Sequence, residues 1–372
     1  MTLFIGLLSG TSADAIDAAL VEIKANKTDI VCTYSLPISD HIRNKVFSLA
    51  ISSQDEITQI QVLDHALGEL FSRAALDLCN KAGVDSTEVE AIGSHGQTVR
   101  HCPPGDTTPG YSLQIGDPNI IVENTGITTV ADFRRRDIAA GGHGAPLAPG
   151  LHNALFRSQQ VARFIVNCGG IANITYLAPG EAAIGFDTGP ANGLMDSWYQ
   201  RHHSHNKRSF DNNGEWANSG SVNNDLLHTL LAHPYLSLAA PKSTGREDFN
   251  LPWLEQQLTR QFDHLRAEDV QATLLDFTVT SIVNEIEKLD KGSGAEVYIC
   301  GGGAHNQGLC DLLTKRLTPR AFAATDCLGI PADWVEAVAF AWMAKQTLEH
   351  KTSNLPSITG AGKEVVLGGI YL

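Results

Sequence analysis

The sequence lacks any long hydrophobic run. No apolar segment among its 372 residues reaches the roughly 18 residues that a membrane-spanning helix needs. The first apolar run, Leu3 to Leu8, is short, has no basic residues before it and is soon followed by acidic ones, unlike a secretory signal peptide. We therefore expect a cytoplasmic protein with no membrane partner.

Positive charge is also scarce. The chain has 27 Lys and Arg against 41 Asp and Glu, which gives a formal net charge of −14. Because an acidic surface repels phosphate backbones, we expect no nucleic-acid partner. The one dense basic spot is the run Arg134–Arg136.

Sequence patterns for disulfides, structural metals and P-loops are missing as well. The seven cysteines are odd in number and form no CxxC pair, which predicts free thiols in a reducing compartment. The fourteen histidines include no HExxH, so we expect no zinc site. The absence of GxxxxGK[ST] excludes a P-loop nucleotide site.

What is present is typical of a globular enzyme with two domains. The length exceeds what one core usually supports, and hydrophobic residues make up 43% of the chain. Strand patterns mix with helical ones, such as the apolar spacing over 54–83 and the amphipathic pattern of PADWVEAVAFAWMAKQTLEH near the C-terminus. This mixture predicts an α/β fold with mixed sheets.

A strand–turn–strand pattern occurs twice. LFIGLLSGTSADAIDAALVEI and RFIVNCGGIANITYLAP lie roughly 160 residues apart and suggest two similar halves facing each other across a cleft. We expect domain I to comprise residues 1–130 plus 345–372, and domain II to comprise 131–344. The small-residue loop AAGGHGAPLAPG supplies hinge candidates in Gly141, Gly142 and Gly144.

The turn of the first pattern, SGTSADAID at residues 9–17, is rich in small and hydroxyl-bearing residues. Backbone N–H groups of such a turn, flanked by Ser and Thr hydroxyls, can surround a phosphate. An ordinary hairpin turn is built from the same residue types. Two further glycine clusters, NCGGIAN and CGGGAHN, are compatible either with close approach of a ligand or with a plain turn.

One carboxylate stands at the end of a predicted strand. GFDTGPAN places Asp187 where a strand enters a glycine–proline turn. Catalytic carboxylates commonly occupy such positions. The alternative is that Asp187 caps the helix that begins near GLMDSW.

Taken together, the three glycine-rich turns favour a particular architecture. Two phosphate-holding hairpins and one glycine-rich adenosine turn are the arrangement of the actin, sugar-kinase and heat-shock ATPase fold, which is ribonuclease H-like and has an interdomain active-site cleft. This inference is an analogy at the level of the fold, so function has to come from particular residues.

Six segments carry a resemblance to one family. SGTSADAID, AIGSHGQTVRH, VADFRRRDIAAGGHGAPLAP, GFDTGPAN, PKSTGREDFNLPWL and CGGGAHN resemble, in this order, the motifs of the anhydro-N-acetylmuramic acid kinases. The match runs from about residue 5 to the C-terminus. The family usually has GLMSGTSLDGID, whereas this chain has Leu8, Ala13 and Ala15, and Ala191 replaces the last glycine of GPGN. If the glycine replaced by Ala15 needs positive φ, alanine strains that turn.

The resemblance implies an activity. Family members use ATP and water to open the 1,6-anhydro ring of 1,6-anhydro-N-acetylmuramic acid and phosphorylate O6, giving N-acetylmuramate 6-phosphate and ADP in peptidoglycan recycling. It implies that Asp187 is the catalytic base for the water. Domain I is expected to carry the first phosphate-holding hairpin and the sugar-binding side, and domain II the second hairpin, Asp187 and the adenosine turn. The resemblance implies Mg²⁺ with the ATP, and a homodimer.

The resemblance also implies binding residues. Those expected on the nucleotide and its phosphates are Ser9, Gly10, Thr11, Ser12, Asp14, Asp17, Gly169, Gly170, Gly301, Gly302 and Gly303. Asp14 or Asp17 is expected to reach Mg²⁺ through water. Those expected on the sugar, with its lactyl carboxylate, are His95, Gln97, Asp132, Arg134 and Arg136. The alternative for the arginines is simple pairing with Asp132 and Asp137, and Glu336 lies either near the nucleotide or on a solvated helix face.

Other functions stay open at this point. An ordinary sugar kinase of the same fold would use Asp187 to deprotonate a sugar hydroxyl. An actin-like or chaperone-like ATPase would hydrolyse ATP without any sugar. A glycosidase would need a second facing carboxylate, which the sequence does not offer convincingly.

Overall fold

The computed structural model describes residues 2–24, 27–49, 55–105, 109–205, 208–245, 248–290, 292 and 294–372. The chain divides into two compact units. Unit 1 comprises Met1–Phe156 and Trp334–Leu372, and unit 2 comprises Arg157–Asp333. Among the described residues, no helix combines the length and apolar character needed to cross a membrane.

Unit 1 is built on a seven-stranded sheet. Six strands have the order β12-β6-β4-β1-β2-β3, and β5 pairs with β4. β1 runs antiparallel to β2 and parallel to β4. The strands are β1 Leu3–Ser9, β2 Ala15–Lys24, β3 Lys27–Pro37, β4 Val89–Cys102, β5 Tyr111–Ile115, β6 Thr129–Ala131 and β12 Gly369–Tyr371.

Unit 2 is built on a five-stranded sheet of order β11-β10-β7-β8-β9. β7 runs antiparallel to β8 and parallel to β10, and β9 forms one edge of the sheet. The strands are β7 Arg163–Cys168, β8 Ile171–Leu177, β9 Ile184–Pro190, β10 Glu296–Cys300 and β11 Phe322–Ala324.

The two sheets repeat one topology. In each, the first strand pairs with an antiparallel hairpin partner on one side and with a parallel strand on the other, and the order β6-β4-β1-β2-β3 matches β11-β10-β7-β8-β9. The internal repeat predicted from the two strand–turn–strand segments is therefore confirmed, as is the α/β class with mixed sheets.

Helices cover the sheet of unit 1. They are α1 Asp40–Leu49, α2 Glu56–Ala82, α3 Pro118–Thr125, α4 Phe133–Ala139, α5 Pro149–Leu151, α12 Val335–Leu348 and α13 Pro356–Thr359. α2 confirms the helix predicted over 54–83, except at residue 54, which lies outside the described residues. It ends at Gly83, whose φ of 67° lets its N–H reach the carbonyls of Asn80 and Cys79.

The helices of unit 2 are α6 Asn192–His202, α7 Glu215–Ser219, α8 Asn224–Leu231, α9 Leu251–Gln261, α10 Ala267–Asp290 and α11 Gln307–Leu317. The long helix α10 is buried along most of its length and supplies much of the core of this unit. Short 3₁₀ turns precede or follow several of these helices, among them Pro234–Ser237 and Gly302–His305.

Helix α12 lies directly against the sheet of unit 1. A Cβ added at Gly6 of β1 would overlap the carbonyl oxygen of Ala337, and one at Gly93 of β4 would overlap that of Phe340. These glycines let the helix backbone touch the strands. The predicted amphipathic character is wrong, because the helix is buried on most sides by small and apolar residues.

The expected domain boundaries, 130/131 and 344/345, differ from the observed ones. β6, at 129–131, pairs with β4 and β12, so the chain beyond residue 130 remains in unit 1. α12 joins unit 1 from its first residue because it packs on β1 and β4. The sugar-side candidates Asp132, Arg134 and Arg136 therefore belong to unit 1.

The predicted hinge loop lies inside unit 1 and is tightly held. The buried carboxylate of Asp137 accepts hydrogen bonds from the Gly144 N–H, the Asn354 side chain and the Thr359 hydroxyl, each at 2.8 Å. Gly141, Gly142 and Gly144 therefore do not connect the two units.

Candidate functional site

The turn between β1 and β2, which we call hairpin 1, spans residues 10–14. Ser9 at its base is buried, and its hydroxyl donates to Gln97 Oε1 at 2.6 Å. The Gln97 amide in turn donates to the carbonyl of Gly10 at 3.3 Å. Ser9 and Gln97 are brought level by the parallel pairing of β1 with β4. Gln97, expected on the sugar, is thus engaged in supporting this turn.

Gly10 leaves open space above the turn. A Cβ built there would meet no atom within 4 Å, and its φ lies outside the positive range. Neither packing nor backbone geometry therefore requires glycine, whereas close approach of a ligand to the backbone would.

Strain in hairpin 1 falls at a different alanine than expected. Ala15 begins strand β2 with an ordinary φ, so the expected strain there is wrong. Ala13 instead has a φ of 48° and closes the turn with its N–H on the Gly10 carbonyl at 3.0 Å. Ala191 also avoids positive φ, at −127°.

Hydroxyls and carboxylates surround this turn. The Ser12 hydroxyl donates to Asp14, which is exposed, and the Ser35 hydroxyl donates to Asp17 at 2.8 Å. A cation that sequence reasoning missed is also present, because Arg43 Nε donates to the Ser12 carbonyl at 3.0 Å. The sequence gives no signal for Arg43 beyond a basic residue in the helix after β3.

A second cluster in unit 1 joins two expected sugar-side residues. His95 is buried; its Nδ1 donates to the Gly96 carbonyl at 2.9 Å, and its Nε2 accepts from Arg134 Nη2 at 2.8 Å. Burial, and then the positive Arg134, lower the pKa of His95 well below 6.5. His95 is therefore a neutral acceptor that orients the guanidinium, whose Nη1 donates to the Gly144 carbonyl at 2.8 Å.

The charge of Arg134 is also shaped by acidic neighbours. Burial lowers its pKa to about 10, which Glu336 and Asp137 partly oppose by their negative charge. Glu336 thus lies on the same side of unit 1 as Arg134. Because a pKa of about 10 is still well above 7, Arg134 is positively charged at neutral pH.

The other residues of the arginine run have different roles. Arg135 pairs with Asp132 at 2.7 Å through Nε, and Arg136 is exposed. Simple pairing with Asp132 therefore holds for Arg135 alone. Asp132, expected on the sugar, is engaged by that arginine.

In unit 2, the turn between β7 and β8, which we call hairpin 2, consists of Gly169 and Gly170. The Gly170 carbonyl accepts from the N–H groups of Ala191 and Gly193, both at 3.1 Å, and the Gly169 carbonyl accepts from Asn192 at 3.0 Å. The start of α6 thus occupies the carbonyls of this turn. A Cβ at Gly170 would meet nothing within 4 Å, and one at Gly169 only the Ile171 carbonyl at 3.7 Å.

The glycine-rich turn after β10 packs against hairpin 2. Gly301 has a φ of 77°, and a Cβ at Gly303 would overlap Cys168, so the fold itself requires these two glycines. Gly302 is more open, with only the Asn192 side chain at 3.7 Å from an added Cβ. Asn192, which sequence reasoning missed, also donates to the Cys168 carbonyl at 3.0 Å and so links both turns.

Asp187 lies on edge strand β9, three residues before Pro190, which pairs with Ile171 beside hairpin 2. That separation corresponds to roughly 10 Å along the strand. Its carboxylate Oδ2 accepts from the Thr244 N–H at 3.0 Å, and its carbonyl accepts from the Tyr235 hydroxyl at 2.7 Å. Asp187 is half-buried and does not cap α6, because Ala191 occupies the N-cap position.

Over the part of the chain that the structure describes, no group of three or more His, Cys, Asp or Glu side chains is arranged to hold an ion. Magnesium held mainly by nucleotide phosphates and water fits this arrangement, with Asp14 and Asp17 as the nearby carboxylates of hairpin 1.

A repeated α/β topology with open glycine turns at matching hairpins is typical of two-domain kinases and ATPases that hold phosphates on backbone amides. The family model for anhydro-N-acetylmuramic acid kinase matches residues 2–372. Anhydro-N-acetylmuramic acid kinases of Shewanella putrefaciens and Coxiella burnetii are each 48% identical to the chain; the alignments cover 99% of it, and 98% and 97% of the respective relatives. The chain belongs to the anhydro-N-acetylmuramic acid kinase family.

Among solved structures, a ROK family glucokinase from Streptomyces griseus in complex with glucose and AMPPNP matches 92% of this chain and 99% of its own. The identity is 14% and the TM-score 0.39, too distant to inform the site. Family membership makes this protein an ATP-dependent kinase of a small amino-sugar substrate in peptidoglycan recycling.

Proposed function

We propose that this enzyme opens the 1,6-anhydro ring of 1,6-anhydro-N-acetylmuramic acid with water and transfers the γ-phosphoryl group of ATP to O6. The observation that supports this most is the placement of Asp187. Asp187 lies on β9, next to hairpin 2, whose glycines leave the backbone open, and its half-buried carboxylate accepts a hydrogen bond from the Thr244 N–H. One unit thus offers both a fixed base and a surface for phosphate.

Asp187 acts as the general base. It takes a proton from water as the water oxygen bonds to the anomeric carbon and the bond from that carbon to O6 breaks. A carboxylate is a weak base, but it suffices when the anomeric carbon has cationic character, as in glycoside hydrolysis. O6 bonds to the γ-phosphorus as the bond to ADP breaks, so no separate acid is needed to protonate the leaving oxygen.

Hairpins 1 and 2 position the phosphates. Phosphoryl transfer depends mainly on positioning and on neutralising charge. Gly10 and Gly170 offer open backbone. The Thr11 hydroxyl offers a further donor beside the Ser12 hydroxyl, which donates to Asp14. Gly302 is the member of the glycine-rich turn with room for the adenosine. Mg²⁺ bound with ATP supplies additional neutralisation of the phosphate charge.

Arg134 binds the lactyl carboxylate of the sugar. Its guanidinium is held by a neutral His95 and a backbone carbonyl, so these two partners orient it without cancelling its charge. An oriented guanidinium is well suited to a carboxylate. Gln97 acts indirectly, by supporting hairpin 1, and Asp132 acts indirectly, by pairing with Arg135. Arg136 is exposed.

The test is ADP release from Mg·ATP in the presence of the anhydro sugar, the ring-opened N-acetylmuramic acid, or no sugar. Release only with the anhydro sugar, matched by formation of the 6-phosphate, is the expected result. Equal or faster turnover of the open sugar would indicate an ordinary sugar kinase. Release without sugar would indicate an ATPase of another kind.

A homodimer and a cytoplasmic location stay predictions. The first is supported by the family resemblance and the second by the cysteines, all seven of which are free thiols in the structure. Light scattering on the purified enzyme measures the oligomeric state directly.

A further inference from the structure

The segment 241–245 runs beside the edge strand that carries Asp187. The Asp187 N–H donates to the Lys242 carbonyl at 3.3 Å, and the Thr244 N–H donates to Asp187 Oδ2 at 3.0 Å. β9 is the last strand of its sheet, so this segment satisfies backbone groups that the sheet leaves open. The position of the Asp187 carboxylate therefore depends on where this segment lies.

The side chain of Lys242 is buried beneath the segment. It is 2% exposed, and its Nζ lies 3.1 Å from Glu285 Oε1 on α10, whose side chain is 9% exposed. The ammonium also donates to the Leu236 carbonyl at 3.4 Å and lies 5.1 Å from the centre of the Tyr235 ring. Burying a charged lysine has a large desolvation penalty, and here a carboxylate, a carbonyl and an aromatic face compensate it.

This arrangement connects Asp187 with the long helix of the unit. Lys242 anchors the segment to α10 through its side chain, while its own carbonyl and the Thr244 amide contact Asp187. Tyr235, which touches the ammonium with its ring, donates its hydroxyl to the Asp187 carbonyl. Buried ion pairs often contribute little net stability but fix one geometry among several, so a role in positioning is the natural use of this one.

We infer that Lys242 and Glu285 form a positioning pair that fixes the Thr244 N–H on the Asp187 carboxylate and so sets the orientation of the catalytic base. The inference rests on the proposed role of Asp187. As we infer it, the pair touches neither the substrate nor the reacting atoms. It acts through the backbone of 241–245.

Other charged groups surround these residues. Lys288 also contacts Glu285, at 2.9 Å, and Asp248 accepts from the Thr244 hydroxyl at 2.7 Å. Burial, and then the negative charges of Asp187, Glu285 and Asp248, raise the pKa of the Tyr235 hydroxyl, so it stays protonated and remains a donor. The carboxylate of Asp187 thus accepts a backbone hydrogen bond from Thr244, and the hydroxyl of the same Thr244 donates to Asp248.

The experiment compares Lys242→Met with the double variant Lys242→Met/Glu285→Gln, which leaves no unpaired buried charge. In both, kcat should fall on the order of 10- to 100-fold, because a displaced base loses its geometry. A hydrogen bond to the ionised form favours that form, so losing the Thr244 donor should move the acidic limb of the kcat profile to higher pH. KM for ATP should stay unchanged.

A matched control is Arg320→Met. Arg320 pairs with the fully buried Asp290 at 2.7 Å in the same unit, but neither contacts Asp187 or the segment 241–245 in any interaction described above. This variant should lose stability without any shift of the acidic limb. The same shift in Arg320→Met, or a wild-type kcat profile in the folded double variant, would overturn the positioning role.

Asp187→Asn, measured in parallel, separates this inference from the proposed function. Loss of turnover in Asp187→Asn together with a normal profile in Lys242→Met overturns the positioning pair alone. Near-normal turnover in Asp187→Asn overturns Asp187 as the base, and the positioning role with it.

Discussion

Hairpins 1 and 2 occupy the same place in two sheets of one topology, yet they are supported in different ways. The turn of hairpin 1 rests on side chains, since the Ser9 hydroxyl donates to Gln97 and the Gln97 amide donates to the Gly10 carbonyl. Hairpin 2 rests on backbone, since the first N–H groups of α6 bond to the carbonyls of Gly169 and Gly170.

The difference explains why the two turns have such different sequences. In hairpin 2 a helix start does the supporting, so the turn can shrink to two glycines. Hairpin 1 has no helix in that position, and its longer turn brings hydroxyls and carboxylates that hairpin 2 lacks. Within the same topology, hairpin 1 therefore presents polar side chains, whereas hairpin 2 presents only backbone groups. The carboxylate that we assign to catalysis, Asp187, comes from the neighbouring strand of the second.

The largest effect is expected from replacing one carboxylate in each unit, Asp187 in unit 2 and Asp17 in unit 1. Asp187→Asn should lower kcat by about 10²- to 10⁴-fold, because a general base is removed. Asp17→Asn, on β2 beside hairpin 1, should have a much smaller effect that grows as Mg²⁺ is lowered, because we propose that Asp14 or Asp17 reaches the ion only through water. Steady-state kinetics with the anhydro sugar measures both.

Nucleotide binding serves as the control for this pair. Calorimetric titration with ATP should give Asp187→Asn close to wild-type affinity, since the carboxylate lies roughly 10 Å along the strand from hairpin 2. If Asp17→Asn lowered kcat more than Asp187→Asn, Asp187 would not be the catalytic base, and the carboxylate near hairpin 1 would be the better candidate.

The next effect separates two glycines that are close in sequence, Gly6 on β1 and Gly10 in hairpin 1. Gly6→Ala should destabilise the protein by about 2–4 kcal/mol, because its Cβ would overlap the backbone of α12. Gly10→Ala should change stability by less than about 1 kcal/mol, since its Cβ has open space and φ is ordinary. Urea unfolding measures both. Equal losses would mean that Gly10 also has a structural function.

These glycines also show what could be predicted from sequence. The two strand–turn–strand segments predicted the repeated sheets, because alternating strands and glycine turns are local signals. Nothing local separates Gly6, which α12 requires, from Gly10, which nothing in the fold requires, because α12 lies more than 300 residues further along the chain. The sequence therefore predicted the glycine-rich motif, but it could not predict which of its glycines the packing requires.

The same limit applies to the missed residues. Asn192, Thr244 and Lys242 act through hydrogen bonds between segments distant in sequence, which no spacing rule reveals. The domain boundary was misplaced for a similar reason. β6 is a three-residue strand whose partners β4 and β12 come from far along the chain, so only the assembled sheet shows where unit 1 ends.

Acid should lower the stability of unit 1 more than that of unit 2. Unit 1 contains His152, 1% exposed, whose pKa burial lowers to about 3, and His95, whose pKa is also lowered. The unfolded chain binds protons at these sites below about pH 6.5 and the folded chain does not, so stability falls as pH drops below 6.5. From pH 6.5 to 5, His152 alone should cost about 2 kcal/mol.

Hydrogen exchange on peptides of each unit measures this, after correction for the intrinsic pH dependence of exchange. Unit 1 should lose protection before unit 2, and His152→Gln should reduce the difference. His264→Gln, an exposed histidine of unit 2, should leave it unchanged. Loss of protection beginning in unit 2 would contradict the prediction.

The smallest effect tests the two turns themselves. Gly170→Ala should raise KM for ATP about tenfold, or roughly 1.4 kcal/mol, because a methyl group would occupy the open face of a turn that has only backbone to offer. Gly10→Ala should raise KM for ATP less, since the Thr11 hydroxyl of hairpin 1 still supplies a donor. Gly180→Ala, in the β8–β9 connection of unit 2, controls for adding a methyl group away from both turns, although its φ of 74° will reduce stability. If neither hairpin variant changed KM for ATP, both turns would be ordinary hairpins without a role in phosphate binding. If Gly10→Ala raised KM more than Gly170→Ala, the comparison would be reversed, and the side chains of hairpin 1 would depend on its backbone rather than substitute for it.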